Sequence, residues 1–395
     1  MIPVSEALAR LRALVAPVGT ETIDLRHAAG RVLAADITAR RDQPPFPASA
    51  MDGYALGAGD FRSGARLRVI GESSAGHAWA GRVEAGTAVR IFTGAPVPEG
   101  ASHVVLQEDV AREGDTITLG PRIGTDSNVR PAGQDFRAGD RIAAPRRLSA
   151  ADLALIAAMN VPRVTVARRP VLALVATGDE LVMPGEEPAP DQIIASNGFA
   201  LAAMAEAAGA EARLLPIARD TRDSLHQALS LAADADLIVT IGGASVGDHD
   251  LVAAAGAEVG LALDFWKVAI RPGKPLMAGR IGSSALLGLP GNPVSAIICG
   301  HIFMRPMISA MLGLPPAEDA PLTAELAEDL PANGPRQHYM RARLDRSGGR
   351  LRIRAFERQD SSLLSLLSEA DALLVRPPGD PERRAGDRVD YLPFG

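Results

Sequence analysis

Hydrophobic positions follow different periods in different parts of the chain. Near the N-terminus Ala7, Leu8, Leu11, Leu14 and Val15 recur at helical spacing, which predicts an amphipathic helix capped by Ser5. Between about residues 60 and 140, short apolar runs at 67–70, 88–92 and 103–107 alternate with glycine turns, the pattern of a compact β-rich block. Ser149 and Asp152 have capping-box spacing and predict a helix ending near Asn160. The β-rich block therefore reads as an insertion into a helical part. From residue 171 onward buried strands alternate with helices, the mark of a doubly wound sheet. Strands are predicted at 171–176, 212–217, 237–241, 265–270 and 285–289. Helices are predicted over 197–208 and from a cap at Thr221 or Asp223 to about 233. After Gly313 proline density rises, and short β-like runs at 339–344, 351–355, 372–376 and 388–391 predict a small C-terminal β domain.

These breaks give four parts: 1–45 with 141–168, helical; 46–140, inserted and β-rich; 169–315, α/β; and 316–395, β. Arg168-Arg169-Pro170 reads as a stiff linker into the α/β part.

The centre of the α/β part is DLIVTIGGASVGDHD, residues 236–250. Five residues without polar alternation, Leu237 to Ile241 with Thr240 the one hydroxyl among them, predict a strand buried on both faces, and the glycines after it let backbone approach a ligand closely. Gly242 and Gly247 have P-loop spacing, but Asp248 stands where a lysine belongs, and there is no G-x-G-x-x-G. Backbone amides can still cradle a phosphate, while Asp248 and Asp250 suit a Mg²⁺ held between carboxylate and phosphate oxygens. An ordinary strand-to-helix turn with a capping aspartate fits the same residues. Four further loops, including TGDE after 171–176, RPGKP after 265–270 and PGNP after 285–289, are expected at one sheet edge. Acids and bases converging there would be a functional signal.

Composition narrows the classes. With 47% hydrophobic residues the chain is globular, and a net charge of −6 argues against a nucleic-acid groove. One cysteine, Cys299, excludes an internal disulfide framework and fits a reducing compartment. The longest apolar helix, near 294–312, carries His301, Arg305 and Pro306 and makes a poor membrane span, so a soluble, cytoplasmic protein is expected. The histidines and the cysteine have no metal-site spacing.

Six strings occur in one order along nearly the whole chain: SAMDGYA (49–55), TGAPVP (93–98), TGDEL (177–181), GGASVGDHD (242–250), RPGKP (271–275) and LPGNPVSA (289–296). In that order they resemble the molybdopterin molybdenumtransferases, the molybdenum-insertion enzymes of cofactor biosynthesis, and are similar to the C-terminal domain of gephyrin. The resemblance implies an elongated multi-domain α/β plus β subunit working as a homodimer, with the active site shared between subunits. It implies a transferase that takes adenylylated molybdopterin and molybdate, uses Mg²⁺, and yields molybdenum cofactor with release of AMP. The molybdopterin adenylyltransferase, whose pterin-binding domain is similar, is a candidate partner; neither nucleic acid nor membrane is.

Residue by residue, the resemblance implies catalytic roles for Asp52, Thr93, Asp135, Glu180 and Asp250. Glu180, Asp220 and Asp250 are implied around the metal, and Gly242, Gly243, Ser245 and Gly247 beneath the phosphate. Lys267, Arg271, Lys274 and Pro290 are implied to bind substrate, and Arg341 and Ser361 to help form a molybdate pocket. Three positions depart from the family pattern: Gln134 for a glutamate, Arg271 for a lysine and Asp360 for a glycine. Two other readings compete: a catalytically inactive pterin-binding or scaffold protein of the same fold, and a nucleotide-binding oxidoreductase, which the missing fingerprint disfavours.

Overall fold

The computed structural model describes residues 1–243, 256–258, 260–316 and 321–394. The chain divides into two compact units, one of residues 22–29 and 35–165, the other of 1–21, 30–34 and 166–395.

The chain opens with helix α1 (Val4–Ala13). Its N-cap is Pro3 rather than Ser5, and no side chain closes the end. Val4, Ala7 and Leu11 enter the main core of the larger unit.

The smaller unit is built on a six-stranded sheet of β1 (Gly53–Leu56), β2 (Arg66–Ser73), β3 (Thr87–Ile91), β4 (His103–Leu106), β5 (Val110–Glu113) and β6 (Thr116–Leu119), in the order β4-β1-β3-β2-β6-β5. Tyr54, Leu56, Leu67, Val105, Ile117 and Leu119 close its core. Gly53, directly after Asp52, pairs with both Ile91 and Leu106, so Asp52 stands at the start of β1. Helix α2 (Ala150–Ala158) starts at the expected capping box, with both reciprocal bonds between Ser149 and Asp152 present.

In the larger unit β7 (Val171–Ala176), α3 (Asn197–Ala207), β8 (Glu211–Leu214), α4 (Arg222–Leu231) and β9 (Leu237–Ile241) precede β10 (Leu261–Trp266), β11 (Met277–Ile281) and β12 (Ser284–Leu289). The sheet order is β8-β7-β9-β12-β11-β10. All five residues of β9 are buried because helices cover both faces. Leu237, Val239 and Ile241 pack into the cluster holding α1 and α3, while Ile238 packs with Leu225, Ala228 and Leu229 of α4. Thr221, not Asp223, caps α4 through a bond from the Ser224 amide. The four strands β8, β7, β9 and β12 are parallel, β11 runs antiparallel to β12, and β10, antiparallel to β11, points the same way as the parallel set. The RPGKP segment thus follows a strand that points the same way as the parallel set, but the expected strand at 265–270 is two elements. Its first residues end β10, and Ile270-Arg271 pairs with Gln337-His338 of the C-terminal domain.

After β12 the chain is helical from Pro293 to Met311, as α5 (Pro293–Cys299), a π turn (Gly300–Met304) and α6 (Arg305–Met311). This segment is apolar and long enough to cross a membrane, yet 83% of it is buried inside the fold, as a core helix is. The C-terminal strands β13 (Leu322–Leu326), β14 (Gln337–Asp345), β15 (Arg352–Ala355), β16 (Ala372–Arg376) and β17 (Arg388–Pro393) close into a five-stranded barrel in the order β14-β15-β13-β17-β16, with β16 pairing back to β14.

Arg168 does not act as a free linker residue. Its guanidinium makes two bonds to Asp236, at 2.8 and 2.6 Å, and the same carboxylate accepts the Val171 amide, so the segment is anchored to the start of β9.

Candidate active site

The parallel strands end in loops that hold one another in place. After β7, the Thr177 amide bonds to Ile241 and the Gly178 amide to Ala218. Asp179 accepts the Asp220 amide at 3.1 Å, and one Arg219 nitrogen bridges the carbonyls of Asp179 and Leu181. Glu180 and Asp220, both singled out in the sequence, are thus presented by loops that Asp179 and Arg219 fasten together. Asp179 stands inside the TGDEL string but was given no role, and Arg219 belongs to no string at all; what the two do shows only when the loops are seen side by side.

Gly242 must be glycine. Its φ is +95°, and a Cβ there would stand 2.8 Å from the Thr177 carbonyl oxygen. The close approach lets β9 and β7 end flush, and Gly242 donates to Leu289 at the end of β12. Asn197, at the start of α3, donates through Nδ2 to the Gly291 carbonyl at 2.7 Å. Together these loops enclose a cavity of about 660 Å³ whose walls include Glu180, Asp220, Gly242, Gly243 and Pro290. Exposed Ile193 and Ile194, carried on a short ladder beside Leu181-Val182, supply an apolar wall. The arrangement suits a flat heterocycle against the isoleucines with a charged group near the carboxylates.

Ser245, Gly247, Asp248 and Asp250 lie outside the described residues. Among the described residues no three His, Cys, Asp or Glu side chains gather as a metal cage.

Lys267, Arg271 and Lys274 are not on the cavity wall, although Pro275 of the same segment is. Lys267 has φ +70°, an uncommon conformation for a non-glycine residue, and its ammonium lies 4.8 Å from the centre of the Trp266 ring. Arg271 belongs to a group of cations, with Arg376, Arg336 and Arg341, whose fields act on buried His338. Burial first, then this positive field, pushes His338 down to about 4. Arg341 is 1% exposed, and its Nη atoms donate to the carbonyls of Leu363, Arg358 and Asp360. Burial lowers its pKa, while Asp360 opposes the shift. Arg341 therefore shapes the loop carrying Ser361, and the Ser361 carbonyl accepts the Val294 amide beside Pro293 of the cavity wall.

In the smaller unit, Asp52 accepts both the amide and the hydroxyl of Thr93, each at 2.7 Å. Those bonds, with help from Arg90, hold its carboxyl below the usual range. Arg90, also missed in the sequence, donates to the Gly53 carbonyl and lies against the rings of Tyr54 and Phe92. Asp135 is exposed, and its amide bonds to Gln43, on the segment leading to Asp52.

Three family models match in chain order. The MoeA N-terminal region (domain I and II) matches residues 2–160, the probable molybdopterin binding domain 173–310, and the MoeA C-terminal region (domain IV) 323–394. The molybdopterin molybdenumtransferase of Haemophilus influenzae is 33% identical over 97% of this chain and 96% of its own. That of Nostoc sp. is 35% identical over 94% of this chain and 88% of its own. The crystal structure of the molybdopterin biosynthesis moeA protein from Pyrococcus horikoshii OT3 superposes with a TM-score of 0.86 at 27% identity, covering 100% of both chains. With these matches over all three regions, the chain belongs to the molybdopterin molybdenumtransferase family, transferases of molybdenum cofactor biosynthesis.

Proposed function

We propose that this protein inserts molybdenum from molybdate into adenylylated molybdopterin, forming molybdenum cofactor and releasing AMP. The observation that carries the reading is the cavity at the ends of β7, β9 and β12, where two carboxylates face backbone donors beside an apolar wall. Ile193 and Ile194 would receive the pterin, and Gly242 and Gly243 would lie under the phosphates.

Glu180 and Asp220, joined by Asp250, would hold Mg²⁺. The fit is reasonable, because Mg²⁺ is commonly bound by one or two carboxylates together with substrate phosphates and water. Bound there, it would neutralise and polarise the pyrophosphate. Asp179 and Arg219 fix the two acidic loops, so the carboxylates need little rearrangement to act. Molybdate is a dianion, and Arg271 and Lys274 are the exposed cations offered to it, with Arg341 organising the neighbouring loop. Asp52, whose carboxyl the Thr93 bonds hold below the usual range, and Asp135 are the catalytic acids assigned to the smaller unit. The same reading makes the protein a cytoplasmic homodimer of four-part subunits.

The test supplies purified protein with adenylylated molybdopterin, Mg²⁺ and molybdate, then adds a molybdoenzyme lacking its cofactor. Molybdate-dependent activation supports the reading, and binding of the pterin without activation points to a scaffold.

A further inference from the structure

The Asp52 carboxylate in the smaller unit is aimed by more than its two Thr93 bonds. Both of those fall on Oδ1, which leaves Oδ2 on the exposed side chain to face a ligand. The backbone beneath is held as well. The Gln107 amide donates to the Asp52 carbonyl at 3.1 Å. One residue on, the Gly53 carbonyl accepts Nη1 of Arg90 at 3.0 Å, and Nη2 of the same guanidinium donates to Oε1 of Gln107. Arg90 therefore ties the peptide that follows Asp52 to the residue that holds the carbonyl of Asp52 itself.

The guanidinium is in turn fixed by two rings. It lies 4.7 Å from the centre of Phe92, the neighbour of Thr93 in sequence, and 5.1 Å from that of Tyr54, its opposite across the β1–β3 pair. A planar, forked cation stacks on aromatic faces and bonds two oxygens at once, which a lysine ammonium cannot do in one fixed orientation. Both of its hydrogen bonds go to uncharged oxygens, so no carboxylate among the described residues neutralises it. Its field instead reaches Asp52, where it adds to the Thr93 bonds in holding the carboxyl below the usual range. A half-buried guanidinium without an ion pair costs desolvation, and an apolar side chain would cover the same rings without that cost. Its charge and its fork serve the acid beside it.

We propose that Arg90 is the positioning residue of Asp52, clamping the backbone on both sides of the Asp52–Thr93 pair so that Oδ2 keeps one direction. The importance of that direction for the reaction rests on the proposed function; the clamp itself does not.

The experiment combines crystal structures, melting temperatures and steady-state kinetics of the full chain for Arg90→Met, Arg90→Ala, Asp52→Asn and the Arg90→Met, Asp52→Asn double variant. Arg90→Met keeps the apolar packing and removes the charge and the fork. In its structure the Asp52 carboxylate should leave Thr93. Its kcat for molybdenum insertion should fall about tenfold or more, with the KM for molybdate and the affinity for molybdopterin within about twofold of the parent. Arg90→Ala should regain rate with added guanidinium and not with ammonium at the same concentration. On the Asp52→Asn background, Arg90→Met should cost no further rate, because the group it aims is already gone. Asp52 still seated on Thr93 in the Arg90→Met structure, with kcat within about twofold of the parent, overturns the proposal. So does an Arg90→Met loss that persists in full on Asp52→Asn, or one that only follows a lowered melting temperature. Asp52 displaced in Arg90→Met while Asp52→Asn keeps the parent rate supports the clamp and removes Asp52 from the proposed reaction.

Discussion

Asp52 accepts the amide and the hydroxyl of Thr93 with one and the same oxygen. It is exposed and outside any core cluster, so its isosteric replacement should act on chemistry and not on folding. Asp52→Asn is expected to cut molybdenum insertion by about a hundredfold or more with a melting temperature essentially unchanged. A collapsed melting temperature would assign the residue to structure. Arg341 predicts the opposite balance. Replacing it with alanine strands the carbonyls of Arg358, Asp360 and Leu363 and empties a buried site, which should cost about 3 kcal/mol in denaturant unfolding. Arg341→Lys keeps the charge but not the fork. It should raise the molybdate concentration needed for half-maximal rate about tenfold, with molybdopterin affinity little changed. Equal loss of both affinities would contradict the role of its loop at the anion end.

At the scale of elements, the RPGKP segment rests on the core helix. Gly273 has φ +96°, and a Cβ there would lie 2.2 Å from the Cys299 sulfur. Burial pushes the Cys299 thiol up, so it serves as an inert floor under the loop. Gly273→Ala should cost about 2 kcal/mol or more, and adding Cys299→Ala should recover part of that loss. Fully additive costs in the double variant would show that the two residues do not share this contact. What was legible beforehand follows the same division between local and distant causes. The strand β9 was readable because an unbroken apolar run has one economical placement, between two layers of helices. The capping box of α2 was readable because its partners are three residues apart. The antiparallel strand β11 was not, because strand direction is decided by pairing with β10 and β12 and leaves no mark on hydrophobic period. Arg168 looked like a linker because its partner, Asp236, is 68 residues away. Glu180 and Asp220 stood out as loop acids and do share one cavity wall. Arg219 escaped notice, and Asp179 was given no role inside its TGDEL string, because what they do depends on what packs beside them.

At the scale of the whole molecule, two histidines make the larger unit sensitive to acid. Burial, then Arg305, pushes His301 down to about 4, and burial with the surrounding arginines does the same to His338. In the unfolded chain both would titrate near 6.5, the ordinary histidine value. Between about pH 6.5 and 4 the unfolded state therefore binds protons that the folded state refuses, and stability falls as pH falls through that window. Urea unfolding followed by pH should show this slope, and His338→Gln with His301→Gln should flatten it. An unchanged slope in the double variant would locate acid sensitivity elsewhere. The central claim concerns the reaction itself. Its most direct measurement counts AMP released against molybdenum cofactor formed when the purified protein meets adenylylated molybdopterin, Mg²⁺ and molybdate. The account predicts equal amounts of the two, both dependent on molybdate and both lost in Glu180→Gln and Asp220→Asn. AMP release without molybdenum-containing product, or product formed undiminished by both substitutions, would contradict it.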